Sequence, residues 1–215
     1  MNTPVDNYCE RLGPGLWAEP LNAATNLAFL IAAWMIWRLA GRRDALTGGV
    51  WLLTLLMAAV GIGSGIFHTV ATVLTEWLDI IPILMFQLAF LWLYLRDLMG
   101  LGRMPAVGGL VAFLAAALVG ESYQEVLNGS LLYAPTMITL VVLGVYHYRK
   151  AFEGRGLILA GAGVFLLSLT FRTMDNRVCD QLPIGTHFLW HVLNAVLLYL
   201  VARAYVVNVR RASGP

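Results

Sequence analysis

GGVWLLTLLMAAVGIGSGIFHTV, residues 48–70, contains no Asp, Glu, Lys or Arg. A helix needs about 20 such residues to cross the hydrocarbon of a bilayer, so this run predicts a membrane span. Six further apolar runs accompany it, over residues 22–39, 77–95, 105–120, 131–148, 156–171 and 184–206. Composition agrees: 60% of residues are hydrophobic and 12% charged, where soluble domains carry about 25% charge. Mean hydropathy is +0.75. So few polar side chains could not cover a water-soluble fold of 215 residues. The expected fold is all-α, a polytopic seven-transmembrane helix bundle. Short linkers and the absence of a repeat make it one domain over residues 1–215, with residues 1–21 as an extracytoplasmic N-terminal segment.

Basic residues set the expected orientation. With the N-terminus outside, the inner side holds Arg38, Arg42, Arg43, Arg96, Arg103, Arg149, Lys150, Arg155, Arg203, Arg210 and Arg211, eleven of the fourteen. Only Arg11, Arg172 and Arg177 fall outside. The C-terminus is then cytoplasmic, and the net charge of +2 reflects topology, with no nucleic-acid partner. Residues 1–20 lack a basic n-region and an apolar h-region, so the first span is expected to act as its own insertion signal. Cys9 and Cys179 share the outer side, where an oxidising compartment permits a disulfide; two free thiols are the alternative.

The same topology gathers polar residues that apolar helices do not need. An acid at the centre of a spanning helix costs about 2.5–3.5 kcal/mol, so such residues persist when paired, liganded or functional. The second span ends outside with Ser64 and His68, the third begins there with Asp79, and the seventh begins there with His187 and His191. His187 and His191 stand four apart on one helical face and can reach a single ion. With His68 they make the three nitrogen donors of a catalytic zinc site, which keeps a fourth position open. Pro82 lacks the N–H that would bond the Leu78 carbonyl, loosening the helix beside Asp79. Plainer readings stand beside this one: the paired histidines could hold haem or bond to neighbours, Ser64 could be a packing residue, and Asp79 could pair with Arg172 or Arg177. His147, next to Arg149 and Lys150, reads as an interfacial residue without a role.

Three blocks carry a family resemblance: Gly61-Ile-Gly-Ser64-Gly-Ile-Phe-His68, Leu78-Asp79-Ile-Ile-Pro82 and His187-Phe-Leu-Trp190-His191. In order and spacing they resemble the signature blocks of the alkaline ceramidases, seven-helix intramembrane zinc amidases in the same superfamily as the progestin/adiponectin receptors. Tyr8-Cys9-Glu10, Ala18-Glu19 and Asp175-Asn176 ahead of Cys179 extend the likeness over essentially the whole chain. The resemblance implies zinc held by His68, His187 and His191, catalysis by Asp79 and Ser64, and a Cys9–Cys179 disulfide. It also implies a calcium ion on the N-terminal segment. Glu10 and Glu19 stand at matching acidic positions, Asn7 with adjacent Asp6 at the family's first acidic ligand, and Tyr8 in place of its Trp. Leu12 stands near an asparagine ligand of the family, and the segment is two residues shorter.

The activity so implied is hydrolysis of the amide bond of ceramide or a related N-acyl lipid, taken from the membrane, to a fatty acid and an amine. A lipid-sensing receptor on the same zinc-binding fold is the alternative.

Overall fold

A computed structural model describes residues 3–13, 15–123 and 125–209. Among these it contains seven helices long and apolar enough to cross a membrane. The first span consists of α1 (Pro20–Thr25) and α2 (Leu27–Arg42), meeting at Asn26. There follow α3 (Gly48–Val70), α4 (Val73–Leu93), α5 (Arg103–Glu121), α6 (Ala134–Arg149), α7 (Leu157–Val178) and α8 (His187–Val206). A π-helical turn over Tyr94–Leu98 extends α4, and a 3-10 stretch over Val126–Tyr133 leads into α6. The all-α, seven-span architecture is the one the hydropathy pattern predicts. Arg210 and Arg211 lie outside the described residues.

Several helix ends differ from the apolar runs, each for a local reason. α4 starts at Val73, before residue 77, because Thr72 and Thr75 form a reciprocal capping box. α7 continues past residue 171 to Val178 because its polar residues find protein partners. Arg172 donates to the Asn128 carbonyl at 2.6 Å, and Asp175 is fully buried. α8 starts at His187, later than residue 184. There Asp175 Oδ1 accepts from the Thr186 and His187 amides at 2.6 and 2.9 Å, a negative charge at the positive end of a helix.

α3 packs along α2 and α4, α7 along α8, and α2 against α8. α3 meets α4 tightly at Gly63, where any side chain would collide with the Leu78 carbonyl. That carbonyl is the one Pro82 leaves without its helical donor. Outward faces are apolar, and exposed tryptophans mark both ends of the bundle, Trp17 and Trp77 at one, Trp37 and Trp51 at the other. Such belts suit the membrane interfaces. His147 departs from expectation: it is fully buried, and its Nδ1 lies 2.9 Å from the Tyr94 hydroxyl.

Candidate metal centre

His68 stands in the last turn of α3 and Ser64 one turn before it, Asp79 in the second turn of α4, and His187 and His191 in the first two turns of α8. All five therefore sit at the end of the bundle that the N-terminal segment covers. That segment is pinned there by a bridge between Pro4 and Thr72 and by a Cys9–Cys179 disulfide, with Cα atoms 5.2 Å apart. The Cys9 amide also donates to Asp175 Oδ2 at 3.2 Å. One carboxylate thus holds both the segment and the start of α8.

The three histidines are buried, and their ligand atoms lie within 4.8 Å of one another. Their hydrogen bonds indicate which nitrogen is free. Nδ1 of His68 lies 2.5 Å from Glu19 Oε2, which accepts its proton. Nδ1 of His191 lies 3.0 Å from the Thr25 hydroxyl, whose own proton goes back to helix carbonyls. Both Nε2 atoms then carry a lone pair. They are buried without a hydrogen-bond partner among the described residues, as is Nδ1 of His187. Each unsatisfied buried group costs about 1–3 kcal/mol, so three together fit a bound cation better than an empty core. Three imidazoles, two of them oriented by neighbouring acceptors, suit zinc. The His187 ring is held by Tyr8, stacked at 3.7 Å between centroids; burial pushes the Tyr8 phenol well above its ordinary pKa, so it stays neutral.

Asp79 and Ser64 meet beside this cluster. Both side chains line one cavity, and Asp79 Oδ1 is buried with no hydrogen-bond partner among the described residues. Arg172, an expected alternative partner for Asp79, turns to Asn128 and Ser130 and lies over the Tyr133 and Trp190 rings. Ser64, Asp79 and His191 line one end of a cavity whose walls include Phe29, Val60, Phe86, Phe90, Phe113 and Phe165. Along α8 the lining runs from His191 to Val201, about 15 Å at the helical rise.

The residues expected at calcium are brought near this end but engage otherwise. Asp6 is exposed. Asn7 donates to Glu76 at 3.3 Å, and Tyr8 covers His187. Both Glu10 oxygens accept from the amides of Leu21 and Asn22, at 2.7 and 2.8 Å, capping α1. Glu19 is bound by Arg11 Nε at 2.5 Å, by His68 and by Asn22. Burial pulls its carboxyl pKa up, but these partners outweigh it and hold the value below the ordinary 4.5. Among the described residues, the histidine triad is the only group with metal-ligand spacing. The N-terminal set, with a buried guanidinium beside its central acid, does not fit calcium.

Sequence reasoning missed four contributors: Arg11, Thr25, Asp175 as a cap, and Arg172 over the aromatic rings. Asp175 left a trace as a residue of the matching blocks and Arg172 as a possible partner of Asp79; Thr25 acts on His191, 166 positions away, and the burial of Arg11 against Glu19 follows no local pattern.

No curated protein and no solved structure matches the chain significantly. A family model described as Ceramidase matches residues 6–212, nearly the full length of a chain with seven apolar spans and a buried histidine triad, and the chain belongs to the ceramidase family.

Proposed function

We propose that this protein is an intramembrane zinc-dependent hydrolase that cleaves the amide bond of ceramide or a related N-acyl lipid, releasing a fatty acid and an amine. The observation that carries the reading is the triad of buried histidines whose nitrogens lack partners among the described residues, with His191 lining an apolar cavity together with the Asp79 carboxylate and the Ser64 hydroxyl. Zinc held by His68, His187 and His191 would supply a Lewis acid and lower the pKa of water towards about 7. Asp79, with an unpartnered oxygen, takes the proton from the attacking water. The Ser64 hydroxyl donates to the oxyanion that develops on the acyl carbonyl. Asp79 then returns the proton to the departing amine nitrogen. The apolar cavity accepts a lipid tail of the length its walls allow, and the head group remains near the surface. The basic-residue bias supports a site on the extracytoplasmic side.

The test is release of fatty acid from fluorescent N-acyl lipids by detergent-purified protein, with and without a zinc chelator. Chelator-sensitive release is the expected result. Tight lipid binding without turnover would favour the receptor alternative instead.

A further inference from the structure

We propose that the Arg11 guanidinium does the work of a divalent cation at the N-terminal segment, so that this protein assembles its histidine centre without calcium. The side chains of the N-terminal segment do not match the calcium set that the family resemblance implies. Arg11 is 8% exposed, an uncommon state for a residue that is almost never buried unless paired. Its Nε contacts Glu19 Oε1 at 2.5 Å, and its terminal nitrogen donates to the His68 carbonyl at 3.4 Å. Glu19 passes the contact on through Oε2 to His68 Nδ1 at 2.5 Å. One buried positive charge therefore neutralises the carboxylate that fixes the tautomer and direction of His68.

A calcium ion takes six to eight oxygens. Here the Glu10 oxygens are committed to backbone amides, those of Glu19 to Arg11, Asn22 and His68, and Leu12 is an exposed apolar side chain. A second cation beside Arg11 would meet like charge in a buried setting, which is costly. Arg11, Glu19 and His68 form a relay: Arg11 and Glu19 are positioning residues, and only His68 reaches the centre. The His68 end of this argument rests on the metal-centre reading; the calcium end does not.

The experiment uses the full chain in detergent, desalted free of calcium, with zinc and calcium measured by elemental analysis on the same samples. Millimolar CaCl2 is expected to leave the wild-type melting midpoint unchanged and to leave no stoichiometric calcium after desalting. A raised midpoint with bound calcium overturns the proposal. Arg11→Ala should weaken zinc retention by about 10–100-fold, the usual cost of losing support behind a ligating histidine. Arg11→Lys, which keeps the charge, should restore most of it. Full zinc and an unchanged midpoint in Arg11→Ala would also overturn it. If Arg11→Ala does not fold, the wild-type calcium titration still decides. A zinc-free wild type would count against the metal centre, and that same titration would still decide the role of Arg11.

Discussion

His68, Asp79 and Ser64 should separate into three phenotypes when each is truncated. His68→Ala removes a ligand, so zinc content and fatty-acid release are expected to fall together. Asp79→Asn should retain zinc, since Asp79 is not among the grouped ligand atoms, yet lose nearly all turnover. Ser64→Ala should retain zinc and residual turnover, down by about 10²–10³, the usual loss for one oxyanion donor. Elemental analysis beside a lipid hydrolysis assay distinguishes the three, and a zinc-replete, fully active His68→Ala would remove the assignment. Glu19 carries a pH signature. Its folded pKa lies below 4.5, so the anchorage it gives is complete above that value and fades as pH falls through the folded one. The melting midpoint of metal-free wild type should therefore drop at acid pH by more than that of Glu19→Gln. The histidines and Asp79 were legible in the sequence because polar groups inside apolar runs demand a reason. Arg11 was not: in a polar segment, hydropathy does not distinguish a buried cation from a solvated one.

Among the elements, the α3–α4 pair carries the tightest constraint. Gly63→Ala should force these helices apart and disturb Ser64 and Asp79, at about 1–3 kcal/mol for an overpacked contact. Gly65→Ala is the control, since a Cβ there meets only Asn26 Cβ at an ordinary 3.8 Å. A lower melting midpoint for the first variant and little change for the second is the expected result; equal midpoints would contradict the packing. Helix existence was readable from the apolar runs because lipid imposes their length. Helix ends were not, where capping decides them. α7 outlasts its apolar run because Arg172 bonds to Asn128 and Ser130 of the 3-10 stretch and Asp175 accepts from the amides that start α8. Such contacts join positions far apart in sequence and leave no local pattern.

For the whole molecule, the distribution of Lys and Arg predicts that the end bearing the histidines faces away from the cytoplasm. A fluorescent reporter that matures only in the cytoplasm should be bright when fused to the C-terminus and dark at the N-terminus; the reverse result would invert the proposed sidedness. The Cys9–Cys179 link spans 170 positions of sequence, joining the segment before the first span to the loop before the last. This connection has a consequence for biogenesis. His68 is made early in translation, but its partners on α8 follow much later, and thiol oxidation cannot join the two segments before Cys179 has been made. A nascent chain arrested ahead of α8 therefore has one of the three imidazoles, and the histidine cluster forms only once the start of α8 has been made.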